Sequence, residues 1–269
     1  MLWNAKNAAV ASGSTSMNYV SFGHGKRVLI LLLGLSDGLM TVKGKALLLA
    51  PSYRRFFESF TVYMFSRKDE MPPDYSIREM AEDQAQALRT LGIEKCSVLG
   101  VSQGGMIAQY LAADHPDLVE KLVLAVTAAQ TGEMTRDRVQ KWIDYALSGD
   151  HKALMIDTAE NSYSPARLKA YRKLYPVIGA VGKPKSYDRF LTNARAILSF
   201  DAASVLPSLS CPVLIIGGEE DRIVGAEASR ELHRLIPGSR LVLCPGLGHA
   251  AYEEAKDFDQ TILDFLLLS

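Results

Sequence analysis

The stretch CSVLGVSQGGMIAQYLAADHP, residues 96–116, sets a serine among glycines where a strand-like apolar run gives way to helical spacing. A serine hydroxyl is a poor nucleophile until a base takes its proton. A reactive Ser102 therefore needs a histidine elsewhere in the chain, and an acid to orient that histidine. Both follow in order: Asp221 in EEDRIV after the apolar run PVLIIGG, and His249 in PGLGHAAYEEAKDF after RLVLC. Each falls in a loop at the carboxyl end of a candidate strand, where α/β sheets gather catalytic groups. The competing reading is a serine in an ordinary strand-to-helix turn.

The glycines favour the reactive reading. GVSQG matches G-x-S-x-G with a strand before it and a helix after it, since Met106, Ile107, Tyr110 and Leu111 repeat at helical spacing. A serine on so sharp a turn is strained, and Gly100 and Gly104 remove the Cβ atoms that would collide across it. Gly105 lets the helix approach the neighbouring strand.

Short apolar runs alternate with amphipathic segments, which predicts an α/β fold with a mostly parallel central sheet and helices on both faces. Strands are predicted at 17–22, 27–33, 60–65, 96–101, 121–126, 212–217 and 240–244. The short glycine-rich link GHGK predicts that the first two form an antiparallel hairpin at the sheet edge. In SIREMAEDQAQALRTLGI the apolar residues share a helical face, Ser76 and Glu79 are spaced as a capping box, and Gly92 marks the stop. From about 130 to 205 no strand interrupts four helical segments. This stretch carries Trp142 and Tyr145, Tyr163, Tyr171, Tyr175 and Tyr187, which either pack it onto the sheet or line a substrate cavity.

The chain has 269 residues, 48% hydrophobic, enough for one sizeable core with an insertion. Lys+Arg and Asp+Glu are equal at 30 each, so no positive excess collects phosphate backbones or anionic lipid, and neither nucleic acid nor a membrane is expected as a partner. The apolar run at 28–33 is far short of the roughly 20 residues a spanning helix needs. The first residues lack a signal-like pattern, and Cys96, Cys211 and Cys244 have no framework spacing, so a cytoplasmic location is expected. The five histidines show no metal-binding spacing, and no metal or cofactor is expected.

Over essentially its full length the chain resembles the α/β-hydrolase superfamily. The resemblance rests on GVSQGG after a strand, CPVLIIGGEEDRIV, PGLGH, the order Ser, Asp, His, and a helical insert where that family often carries a cap. It implies a core of 1–129 and 206–269 with a cap at 130–205. Ser102 is then the nucleophile, His249 the general base and later acid, and Asp221 the group that orients the imidazole. Glu219 and Glu220 fit less well, being earlier and longer. The oxyanion donors implied are the backbone N–H groups of Gln103 and, in the loop GLSDG, of Leu35.

Two departures stand out. Leu33-Gly34 replaces the family's usual His-Gly, so the hydrogen bonds of that loop must differ, and SRKDEM follows the strand FTVYMF where many relatives carry Asp-x-x-Gly-x-Gly. Ser36 and Asp37 either touch substrate or close a turn, and Ser36, Trp142 and Tyr145 are the candidate substrate contacts. The activity implied is hydrolysis of a carboxylic ester with a small or medium apolar acyl group, a small-molecule substrate. Carbon–carbon bond hydrolysis, acyl transfer and slow-turnover ligand reception use the same triad and remain open, as does the oligomeric state.

Overall fold

The computed structural model describes residues 2–268. Eight strands form one sheet: β1 (Lys6–Ser12), β2 (Thr15–Gly23), β3 (Arg27–Leu32), β4 (Phe60–Lys68), β5 (Cys96–Val101), β6 (Val119–Ala125), β7 (Val213–Gly218) and β8 (Arg240–Cys244). Their spatial order is β1-β2-β4-β3-β5-β6-β7-β8. Only β2 runs against its neighbours; from β4 to β8 every pairing is parallel.

The helices are α1 (Ala46–Leu49), α2 (Ile77–Thr90), α3 (Gln103–Asp114), α4 (Glu133–Leu147), α5 (His151–Ser162), α6 (Pro165–Tyr171), α7 (Asp188–Leu198), α8 (Ala226–Leu235), α9 (Ala251–Glu254) and α10 (Phe258–Leu267). Successive residues of the central strands feed opposite faces. Ile30, Leu32, Val98, Leu122 and Ile215 pack under α2, α3 and α8, while Leu29, Leu31, Leu99, Val123 and Leu214 pack against α10 and the segment Ala50–Phe56. Both faces are covered, so these strands are apolar throughout rather than alternating. Helix α2 starts as its sequence predicts: Ser76 Oγ accepts from the Glu79 N–H at 3.2 Å, and the Ser76 N–H donates to Glu79 Oε2 at 2.8 Å.

The predicted edge hairpin does not form. β2 pairs with β1 and β4, and β3 lies on the far side of β4, because β4 is apolar enough on both faces to take the inner position. The link between β2 and β3 crosses the start of β4, with the N–H groups of His24 and Gly25 both donating to the Phe57 carbonyl at 3.0 Å. The real edge is β1, which sequence reading missed because most of its residues are exposed and it lacks an apolar face. The four helical segments predicted for 130–205 appear as α4 to α7, between β6 and β7. No helix among the described residues is long and apolar enough to cross a membrane.

The crossing leaves no room at Gly25, where a Cβ would sit 2.0 Å from the Phe60 nitrogen and from the Ser59 carbonyl carbon. Gly25→Ala is expected to cost at least about 3 kcal/mol, because backbone rather than a flexible side chain must move. Urea unfolding of the two proteins checks it, and a loss within about 0.5 kcal/mol, the range of neutral surface changes, would show that the crossing is not tight.

Candidate active site

Ser102 stands between the end of β5 and the start of α3 with φ 54° and ψ −120°, a conformation that costs a non-glycine residue about 1–3 kcal/mol. The surroundings hold it there. Its N–H donates to the Ala125 carbonyl at 2.9 Å, and its carbonyl accepts from Thr127 Oγ1 and from the Gly105 N–H, both at 2.8 Å. The flanking glycines are required sterically, as their spacing predicts. A Cβ on Gly104 would lie 1.9 Å from the Leu32 carbonyl oxygen, and one on Gly100 would lie 2.5 Å from the Gly104 carbonyl oxygen.

The loops after β7 and β8 bring in the other two groups. The Glu220 N–H donates to the Leu247 carbonyl at 2.8 Å, joining the two loops directly. His249 Nδ1 lies 2.8 Å from Asp221 Oδ2, and His249 Nε2 lies 2.9 Å from Ser102 Oγ. A carboxylate can only accept, so the proton of a neutral His249 sits on Nδ1 and leaves Nε2 free to accept from the serine hydroxyl. Asp221 Oδ1 is held by the N–H groups of Ile223 and Val224 at 2.8 and 2.9 Å. Burial alone would raise the Asp221 carboxyl, but the charge and hydrogen bond of His249, with those two N–H donors, outweigh it and hold the group below its ordinary value. Glu219 and Glu220 point to solvent.

The other histidines lie elsewhere. His24 is exposed, His115 Nε2 meets Glu82 Oε2 at 2.8 Å, and His233 Nδ1 meets Ser239 Oγ at 2.9 Å. His151 is buried, with Nε2 against the Val181 carbonyl.

Gly34 lies against the serine: a Cβ there would be 3.4 Å from Ser102 Cβ. Leu35 and Gln103 are each the first residue of a helical segment, Leu35–Gly38 and α3, so their N–H groups have no acceptor within that segment. A chamber of about 340 Å³ opens beside Ser102 and His249. Its wall includes Leu35, Ser36, Trp142, Leu154, Met155 and Phe190, so α4, α5 and α7 supply much of its apolar lining.

Tyr145 corrects the substrate-contact expectation. It does not line this chamber but packs half-buried near the end of α4, with the Lys141 ammonium 5.7 Å from its ring centroid. Asp37 does not close its own turn with its side chain either. It is buried, and its Oδ2 accepts from Arg189 Nη2 at 2.7 Å and from the Arg67 N–H at 3.1 Å. Arg67, Arg189, Leu154, Met155 and Phe190 went unnoticed in the sequence. Only their position in space marks them.

The arrangement can pass a proton from the serine to the histidine while the carboxylate stabilises the resulting imidazolium. The profile of the family described as "alpha/beta hydrolase fold" matches residues 63–256. A protein of Pseudomonas savastanoi pv. phaseolicola named "Putative carbamate hydrolase RutD" is 28% identical over 212 residues, 73% of this chain and 77% of its own. Its namesake in Shigella flexneri serotype X is 30% identical over 206 residues, covering 74% and 76%. Among solved structures, the enol-lactonase from Burkholderia xenovorans LB400 superposes with a TM-score of 0.82 at 22% identity, covering 97% of this chain and all of its own.

Because the Asp221 carboxyl is lowered in the folded protein, the stability it contributes is present above its unfolded value, about 3.9, and is lost as pH falls through the lower folded value. The stability difference between wild type and Asp221→Asn, from urea midpoints, is expected to shrink steadily as the solution is made more acid than about pH 5. A difference that grows on acidification would reverse the sign of the shift.

Proposed function

The chain belongs to the α/β-hydrolase family, and from that premise we propose that it hydrolyses carboxylic esters of small or medium apolar acids through an acyl-enzyme on Ser102. One observation carries the reading: an unbroken hydrogen-bonded chain from Ser102 Oγ through His249 to Asp221, at the edge of a mainly apolar chamber.

Ser102 Oγ attacks the ester carbonyl carbon while its proton moves to His249 Nε2, and the carbonyl oxygen becomes an oxyanion facing the N–H groups of Leu35 and Gln103. Collapse breaks the acyl–oxygen bond, and His249 returns the proton to the departing alcohol. Water then adds to the acyl-enzyme, its proton passing to His249 and back to Ser102 as the acid leaves. Asp221 keeps the imidazole in the required tautomer throughout. Residues 130–205 act as a cap over this reaction, supplying Trp142, Leu154, Met155 and Phe190 to the acyl side, with Ser36 at its margin. Buried or half-buried free thiols at Cys96, Cys211 and Cys244 favour a reducing, cytoplasmic setting.

Carbamate cleavage is a second reading, favoured by the names of the curated relatives. The same attack serves a carbamate carbonyl, but a chamber of about 340 Å³ with apolar walls fits a larger acyl group better.

The test is labelling by a fluorophosphonate together with turnover of p-nitrophenyl esters of graded chain length and a matched p-nitrophenyl carbamate. Ser102→Ala is expected to abolish labelling and lower kcat by at least about 10⁴-fold. Esters with a medium-chain optimum support the first reading, and faster turnover of the carbamate the second. A folded wild type that neither labels nor hydrolyses overturns both.

A further inference from the structure

In this chain Leu33 stands where relatives of this family usually carry a histidine beside the oxyanion loop, so no imidazole holds that loop. Here a guanidinium does. Arg67, on β4, is almost wholly buried, its side chain only 4% exposed. Its Nη2 donates to the Leu33 carbonyl at 2.6 Å and to Gln103 Oε1 at 3.0 Å. The two hydrogens on that nitrogen thus serve two acceptors, one on each arm of the oxyanion site. Leu33 lies two residues before the Leu35 N–H, and Gln103 itself carries the other N–H.

Each partner is fixed in turn. Gln103 Nε2 donates to the Asn193 carbonyl of α7 at 2.8 Å, which orients the amide so that its oxygen faces Arg67. Asp37 Oδ2 accepts from the Arg67 N–H, lies 3.9 Å from Arg67 Nη1, and also receives Arg189 Nη2. Arg189 gives three of its other four hydrogens to the carbonyls of Asp37, Arg67 and Lys68 at 2.8–3.1 Å. One carboxylate against two guanidinium groups leaves one net positive charge behind the loop that would meet an oxyanion.

We infer that Arg67 is a positioning residue that sets the gap between the two oxyanion donors. The inference rests on the reading of Ser102 as nucleophile. Gly34, between Leu33 and Leu35, has no side chain to restrict the loop, so its peptide planes depend on an external anchor. A planar fork that meets two acceptors supplies that anchor; an ammonium, a compact point charge, matches the pair less well.

Arg67→Met, Arg67→Lys and Gln103→Met would each be compared with wild type, with kcat expressed per site titrated by the fluorophosphonate. Arg67→Met is expected to lower kcat about 10- to 100-fold, a displaced donor costing less than a deleted one, with KM changed less than about threefold. Affinity for an aryl trifluoromethyl ketone, which forms an oxyanion on Ser102, falls by a similar factor, while that for the matching methyl ketone holds. Arg67→Lys recovers part of the loss, and deuterium uptake over residues 33–38 rises in Arg67→Met.

A folded Arg67→Met with unchanged kcat per site and unchanged uptake overturns the inference. If that variant fails to fold, Gln103→Met decides it on the same readouts. A wild type that neither labels nor hydrolyses would overturn the nucleophile reading instead, and the uptake of residues 33–38 would still show whether Arg67 holds the loop.

Discussion

The constraint on which the site depends is the approach of α3 to the end of β3, where Gly104 presses against the Leu32 carbonyl with no space for a single methyl group. The direction of α3 follows from that contact, and with it the sharp turn that forces Ser102 out of ordinary backbone geometry. The same contact brings the loop after β3, with Gly34 and Leu35, to the side of the serine. The strained turn and the place of the loop after β3 are thus consequences of one backbone approach. The strain is offset by hydrogen bonds on both sides of Ser102, from β6 and from Thr127.

Much of this was legible in the sequence because the signals are local. Ser102, Asp221 and His249 each follow a short apolar run that reads as a strand, and the glycines around Ser102 announce the turn. The fold class follows from the same alternation of runs. Pairing was less legible. Adjacency in the chain suggested that β2 and β3 pair, whereas β4 takes the place between them, and β1 is too polar to announce itself.

The network behind the loop after β3 was illegible for a different reason. Asp37, Arg67, Gln103, Arg189 and Asn193 come from four separate parts of the chain, and two arginines among 30 basic residues carry no local mark of burial. The departure at Leu33 did signal that the loop needed other hydrogen bonds, without indicating where they originate. Trp142 and Tyr145 show the same limit on a smaller scale: three residues apart on one helix, one reaches the chamber and the other packs beside Lys141.

The insert meets the sheet at more places than its two covalent junctions. Near the loop after β3, α7 is tied down by Arg189 and by the Asn193 carbonyl. Near the histidine loop, the Ser162 carbonyl at the end of α5 accepts from the Ala250 N–H at 2.9 Å and passes so close to Gly248 that a Cβ there would be 2.6 Å away. Ser164 adds two hydrogen bonds to Glu254. As an engineering unit, then, residues 130–205 are not an exchangeable module. A transplanted segment that matched only the ends would lose both seams, whereas recarving single chamber-facing positions such as Leu154 or Met155 leaves the seams whole and is the sounder route to a new specificity.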